Sequence, residues 1–302
     1  MLEDRWVEAG GVRTRYVETG SGPSTIAFLH ANALADQGVC HNLRVWEANL
    51  EEIGSRARVV AFDALGQGRT GIPSEQSYGF DRVIEHARAF LDITVGGPVH
   101  LVGHDEGGLA ALRLAFEAPE LIRSVTIVAG KAVAPAGDPL SNLTLSAPLE
   151  PRYGRTAQAW VMERQSWNGH HIDAGRFLDE AVLVGQSHQF KALRERLHGK
   201  NEYDTSVRPT LSRMRVDNWT RFREQGVPCP VMLVWGQNDP MSPVQNAMAL
   251  FRLIAPRQGT AHLRIIGRAG YMPFREQPSV FNGIVAGFVG ALDEGRGAGS
   301  VH

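Results

Sequence analysis

The feature that most constrains the fold of this chain is a series of short, continuous apolar runs separated by helix-patterned stretches. The runs are Thr25–Leu29, Arg58–Phe62, Val99–Val102, Ser124–Val128, Val231–Trp235 and Leu263–Ile266. Unbroken apolarity, in place of strict alternation, is what a strand buried on both faces requires, and parallel strands covered by helices meet that condition. Between them lie Asp81–Leu91, Leu109–Phe116 and Pro243–Ile254 with helical periodicity. This order predicts an α/β fold with a mostly parallel sheet covered on both sides. Ahead of it, two short alternating runs, Trp6–Glu8 and Thr14–Glu18, meet at Gly10 and Gly11 and read as a hairpin.

From Ala132 to Phe222 the alternation stops. Pro135, Pro139, Pro148 and Pro151 mark an irregular entry, and helical patterns follow over Thr156–Ser166, Asp173–Gly185 and Gln189–Leu197. The expected organisation is therefore a core of residues 1–131 and 223–302 and a helical cap at 132–222, set over the sheet edge where open α/β folds bind ligands. The Gly-rich tail from Asp293 has nothing to bury and is expected to fray. The 302 residues suffice for one large domain with an inserted subdomain. With 31 basic against 32 acidic residues, the chain has no general attraction to nucleic acid or to an anionic membrane surface. Its two cysteines, Cys40 and Cys229, form no pair suggestive of zinc or a disulfide framework and suit a reducing cytoplasm. The polar start, Met1 to Trp6, does not read as a signal peptide, and no apolar stretch is long enough to span a bilayer. The expected partner is a small apolar or aromatic molecule, with no nucleic acid, membrane, metal or organic cofactor; a homodimer is compatible with this reading.

The segment Leu101–Gly108 follows a predicted strand and opens a helix, and it sets Asp105 between Gly103 and Gly107. That is the pattern of a nucleophile elbow, a tight turn that lifts one side chain clear of the sheet. A carboxylate suits a helix N-terminus electrostatically. On its own, the same pattern also fits a Gly-rich turn with an N-capping Asp. Four other segments occur in order with it. Phe28–Asn32 contains His30, Ala31 and Asn32; Val60–Thr70 carries Asp63, Gly66 and Gly68; Trp235–Asp239 precedes a helix; and Gly270–Pro278 carries Tyr271, Pro273 and Glu276. Together with the opening hairpin, these segments resemble the α/β-hydrolase superfamily. The stretch Ala31–Asn49 and the spacing Leu250–Ile266 resemble most the carbon–carbon bond hydrolases of aromatic meta-cleavage pathways. The elbow resembles that of epoxide hydrolases and haloalkane dehalogenases. The resemblance implies an eight-stranded, mostly parallel sheet with flanking helices and an inserted helical cap. It also implies an oxyanion loop at Ala31 and Asn32, with a second donor in the Glu106 backbone N–H, and a catalytic acid at Asp239.

Three departures bear on the chemistry. Asp105 stands where most relatives have serine; a carboxylate attacks sp3 carbon but is a poor acyl acceptor, which argues against esterase activity. Tyr271 stands where the family has its histidine, and a phenol near neutrality donates a hydrogen bond without acting as a base. Glu106 follows the nucleophile; its carboxylate either faces Asp105, where like charges split a pair into acid and base, or turns back to the helix or Arg113. Asp239 would then accept a hydrogen bond from Tyr271 or stay solvated. Lys131 is placed near the cap entrance, where a surface role competes with partnership to a carboxylate. His30 and His104 fit packing roles, and His170 and His171 fall in the cap. Trp160 and Trp167 are taken as pocket-lining aromatics. Three functions remain open at this point: a cyclase, lyase or isomerase using Asp105 for proton transfer; an epoxide hydrolase with Asp105 as nucleophile; and a binding protein on a hydrolase fold.

Overall fold

The computed structural model of the chain describes residues 2–32, 34, 38–72, 78–135 and 143–299. Strands β1 (Arg5–Ala9) and β2 (Val12–Thr19) form the expected hairpin, with Ala9 opposite Val12. Gly10 and Gly11 sit at φ 57° and 76°, the left-handed conformation that the two central residues of such a turn require. The remaining strands are β3 (Thr25–Leu29), β4 (Arg58–Phe62), β5 (Val99–His104), β6 (Ile122–Val128), β7 (Val231–Gly236) and β8 (Ala261–Ile266). They form one eight-stranded sheet in the order β1-β2-β4-β3-β5-β6-β7-β8, parallel from β4 onward, as the apolar runs predict. Every residue of β5 is buried, so the turn at its C-terminal end lies in the middle of the sheet.

Helices cover both faces. On β3, Ile26 and Phe28 join a core with helices α1 (Glu47–Gly54) and α10 (Pro278–Gly299), while Ala27 and Leu29 point into a second core with α2 (Phe80–Thr94), α3 (Glu106–Glu117) and α8 (Val244–Ile254). This is the two-residue period of a strand buried on both sides. The tail differs from expectation: α10 continues through Gly299, where the sequence suggests fraying. Asp293 anchors it, accepting hydrogen bonds from Arg123 at 3.1 Å and from the Ser24 hydroxyl, both at the N-terminal ends of strands β6 and β3.

Among the described residues, no strand lies between β6 and β7. The segment instead holds α4 (Arg155–Arg164), α5 (Phe177–Gln186), α6 (His188–Arg194) and α7 (Arg208–Glu224). Pro139 lies outside the described residues. Helix α5 begins at Phe177, later than the expected Asp173, because the Glu47 carboxylate accepts the Arg176 and Phe177 N–H groups at 2.9–3.0 Å and caps it there. Helix α7 was not legible: only Thr210, Asn218 and Phe222 are buried on it, so its apolar periodicity is weak. The segment is tied to the core by polar contacts. Glu180 of α5 accepts from Arg15 at 2.7 Å and Arg69 at 2.6 Å, and Arg275 donates to the His171 and Ala174 carbonyls. Gln158 bonds the Cys40 N–H and the Gly38 carbonyl. No described helix is long and apolar enough to cross a membrane.

The last short helix, α9 (Pro273–Glu276), follows Tyr271 and carries Glu276. That carboxylate accepts the Gly270 N–H at 2.8 Å and the Trp167 N–H at 2.7 Å, so it joins the terminal segment to the residues that follow α4.

Candidate active site

Asp105 occupies the turn between β5 and α3 at φ 47° and ψ −109°. A non-glycine residue there is strained by about 1–3 kcal/mol, and such strain persists only where the surroundings impose it. Here they do. A Cβ on Gly103 would meet the Gly107 carbonyl oxygen at 2.3 Å, and one on Gly107 would meet the Leu29 carbonyl oxygen at 2.3 Å. Two glycines therefore let the turn nest against β3, and Asp105 is pushed above the sheet while remaining 1% exposed.

Three donors surround its carboxylate. The Ala132 N–H donates to Oδ1 at 2.7 Å, the Tyr271 hydroxyl donates to Oδ2 at 2.5 Å, and the Lys131 ammonium lies 3.9 Å from Oδ2. Tyr271 is fixed from both sides: its N–H donates to the Gln165 carbonyl, and its own carbonyl accepts from His104 Nε2 at 3.0 Å. Burial, followed by the charges of Asp105 and Glu106, holds the Tyr271 phenol well above its ordinary range, so it keeps its proton. Lys131 is about one-third exposed. Burial works against its charge, but Asp105, Glu106, Asp239 and Tyr203 together hold its pKa above the ordinary lysine value.

Glu106 turns toward the same cavity and not toward Arg113, whose guanidinium bonds Glu117, Asp217 and Asn218. The Glu106 carboxyl takes the Asn32 N–H at 3.3 Å. That N–H is one of the two donors that the resemblance assigns to the oxyanion hole, so a side chain of the protein already draws on it. Burial and the neighbouring Asp105 push the Glu106 carboxyl up to about 8.

Several expected site residues lie elsewhere. Asp239 does not meet Tyr271 and is not solvated: it is buried, and its Oδ1 accepts the Met241 and Ser242 N–H groups at 2.8 and 2.9 Å within its own loop. Its Oδ2 has no partner among the described residues, and burial raises its pKa well above the carboxylate range. The hydroxyl of Tyr271 goes to Asp105 instead. Ala31 is buried, accepts from His30 Nδ1, and is not part of the cavity wall, whereas Asn32 is. Trp160 and Trp167 do not line the Asp105 cavity, which corrects their assignment. Trp160 is partly buried against the core, and Trp167 is 51% exposed on a separate hollow beside Gln237–Val244. His170 and His171 are also not part of the described cavity wall: His170 bonds the Glu276 carbonyl, and His171 pairs with Ser166 and is lowered to about 3 by burial.

The described cavity is small, about 40 Å3, and its wall is mostly polar. Beyond Asp105, Glu106, Lys131 and Tyr271 it takes in Asn32, His41 and Gln165, with Val39 and Met241 as the apolar contacts. The expectation of an apolar lining does not hold for this part of the site. Each of Asn32, His41 and Gln165 carries a buried polar atom without a hydrogen-bond partner among the described residues. Unpaired buried polar groups are costly, and they concentrate where a ligand completes them. His41 and Gln165 were missed in the sequence. His41 lies in the irregular loop after β3, where no periodicity singles it out; burial, then the charges of His104, His30 and Lys131, lower its pKa well below the usual histidine value. Among the described residues, no group of three or more His, Cys, Asp or Glu is gathered as metal ligands.

The sequence profile of the family described as "alpha/beta hydrolase fold" matches residues 28–270. A 2-hydroxy-6-oxo-6-(2'-aminophenyl)hexa-2,4-dienoic acid hydrolase of Metapseudomonas resinovorans is 25% identical over 304 aligned positions, covering 95% of this chain and 90% of the relative. A 2-hydroxymuconate semialdehyde hydrolase of a Pseudomonas species is 23% identical, covering 96% and 94%. Among solved structures, the 2-hydroxy-6-oxo-6-phenylhexa-2,4-dienoate hydrolase of a Rhodococcus species superposes with a TM-score of 0.74 at 15% identity, over 96% of this chain and 99% of that one.

Proposed function

This chain belongs to the α/β-hydrolase fold family, and from that premise we propose that it is an enzyme that moves protons within a small conjugated or aromatic oxo substrate without hydrolysing it. Asp105 is the base, Glu106 the paired acid, and Tyr271 the hydrogen-bond donor that steadies Asp105. The outcome of such chemistry is of the isomerase, cyclase or lyase type. In this reading residues 132–222 serve as the cap and residues 1–131 with 223–302 as the catalytic core.

The observation that carries the proposal is the direct hydrogen bond from the Tyr271 hydroxyl to Asp105 Oδ2 at 2.5 Å. A phenol that keeps its proton stands where a hydrolase needs a base, so an alkyl ester at Asp105 would lack activated water. The Glu106 carboxyl on the Asn32 N–H supports the same reading, since a tetrahedral oxyanion would have to compete with it for that donor. At neutral pH, Glu106 retains its proton beside the Asp105 carboxyl, and a carboxyl pair divided in this way can both accept and return a proton. The substrate class follows from the compounds named for the relatives, which are 2-hydroxydienoates or semialdehydes with an oxo group conjugated to an enol. Such a system can lose and regain protons along its carbon chain with every carbon–carbon bond intact.

Incubation with 2-hydroxymuconate semialdehyde in heavy water, followed by NMR, tests the proposal. Deuterium entering carbon positions, or a shifted tautomer without cleavage fragments, is expected, and Asp105→Asn should abolish it. Steady release of acid fragments, or Asp105-dependent diol formation from styrene oxide, would refute the reading.

A further inference from the structure

We infer that Lys131, and not the backbone N–H pair beside the elbow, holds the substrate's oxyanion, so that the site selects substrates that carry or develop an enolate or phenolate oxygen. The inference rests on the proton-transfer reading and names the substrate chemistry that goes with it.

Four observations converge. First, the Asn32 N–H, one of the pair that would serve an oxyanion in this fold, is taken by the Glu106 carboxyl at 3.3 Å, and that carboxyl stands in the same cavity. Second, Lys131 is the one ammonium or guanidinium group among the described cavity-lining residues, and it stands 3.9 Å from Asp105 Oδ2. Third, its backbone is anchored to the elbow: the Lys131 N–H bonds the Ala129 carbonyl at 2.9 Å, and the next N–H, of Ala132, bonds Asp105 Oδ1 at 2.7 Å. The ammonium is therefore presented from a fixed turn and not from a free surface loop. Fourth, the other cavity residues do not supply a cation. The His41 imidazole is held neutral chiefly by burial, with the Lys131 ammonium acting in the same direction, and Asn32 and Gln165 are uncharged.

The proton and charge movements balance within the site. The Asp105 carboxylate removes a proton from the carbon beside a substrate carbonyl; the C–H bond breaks and an O–H bond forms on Asp105. The electron pair of the broken bond moves through the conjugated system to the carbonyl oxygen, giving an enolate. As Asp105 loses its charge, the enolate acquires one, and the Lys131 ammonium exchanges the first partner for the second without leaving the cavity. Glu106 delivers its proton to another carbon and takes the proton held by Asp105, which restores the carbonyl, the Glu106 carboxyl and the Asp105 carboxylate. No oxidant, reductant or water is consumed.

The test uses 4-nitrophenol, whose ionised form is coloured, as a stable mimic of the oxyanion. The protein is titrated with the dye across a pH series, and the ionisation of bound dye is read from its absorbance. The expected result is an ionisation midpoint at least one pH unit below that of free dye, which means phenolate binding at least tenfold tighter than phenol. Lys131→Met should lose that preference while its affinity for neutral phenol changes less than twofold, and Lys131→Arg should keep most of it. A midpoint at or above the free value, no saturable phenolate binding, or an unchanged preference in Lys131→Met would overturn the inference. If Lys131→Met fails to fold by circular dichroism, the direction of the wild-type shift and the Lys131→Gln variant decide it. Because the dye undergoes no reaction, intact phenolate selection without deuterium exchange into the dienoate would refute the proton-transfer reading and leave the binding role of Lys131 standing.

Discussion

Replacing Glu106 by Gln isolates the most perturbed carboxyl in the cavity wall. In the folded protein this group titrates at about 8, against 4.5 for an unperturbed glutamate. Between those values the folded state holds a proton that the unfolded chain releases. The contribution to stability is therefore complete below pH 4.5 and is lost as pH rises through 8. A displacement of about three and a half pH units corresponds to about 5 kcal/mol at most. The cavity admits solvent beside Lys131, which screens the charge, so about 2–3 kcal/mol is the expected loss. Gln keeps the acceptor for the Asn32 N–H and cannot ionise. Relative to wild type, Glu106→Gln should be nearly neutral at pH 5 and stabilised by about 2–3 kcal/mol at pH 8.5. Urea unfolding followed by the fluorescence of buried Trp46 and Trp235 measures this at both pH values. Glu276, raised to about 7, titrates in both proteins and cancels in the difference. A wild-type-to-variant difference that stays constant with pH, or that shrinks toward pH 8.5, would refute the burial of the Glu106 carboxyl beside Asp105.

Tyr271→Phe removes a hydrogen bond to a charged group, worth about 1.5–3 kcal/mol, and should slow deuterium exchange by about 10- to 100-fold without trapping any adduct on the protein. Simple activated esters should not be substrates: p-nitrophenyl acetate turnover by wild type should equal that of Asp105→Ala, and a fast, Asp105-dependent rate would show that the oxyanion site is open. Trp160→Phe and Trp167→Phe should leave 4-nitrophenol binding within twofold of wild type, and Trp167→Phe should change stability by less than about 0.5 kcal/mol because the ring is half exposed. Dye binding weakened more than twofold in either variant would place these rings in the site.

The parallel sheet was legible because burial on both faces leaves a mark in consecutive residues, as in Val231–Trp235, where every side chain is covered. The elbow was legible because two close backbone approaches admit only glycine at Gly103 and Gly107. Asn32, Asp105, Glu106 and Tyr271 meet in one cavity because their segments end at the same edge of the sheet. Other parts leave no local trace. Helix α7 carries its arginines toward solvent and ion pairs, such as Arg221 with Asp217, and so lacks an apolar stripe. Gln165 reaches the site only because its carbonyl receives the Tyr271 N–H, a pairing across more than a hundred residues that depends on the packed insertion. The role of Tyr271 itself was displaced by tertiary structure: Asp239 is satisfied by its own loop, and the phenol turns to Asp105.

The central claim is that Asp105 exchanges protons and forms no covalent intermediate. Its most direct test is mass spectrometry of the protein quenched during turnover of 2-hydroxymuconate semialdehyde in heavy-oxygen water, read on the intact chain and on the peptide that contains Asp105. The account predicts an unmodified mass and an Asp105 carboxyl free of heavy oxygen while deuterium exchange proceeds steadily in a parallel sample. A substrate-sized increment on that peptide, or heavy oxygen in the Asp105 carboxyl, would mean that an ester forms and is hydrolysed, and would contradict it.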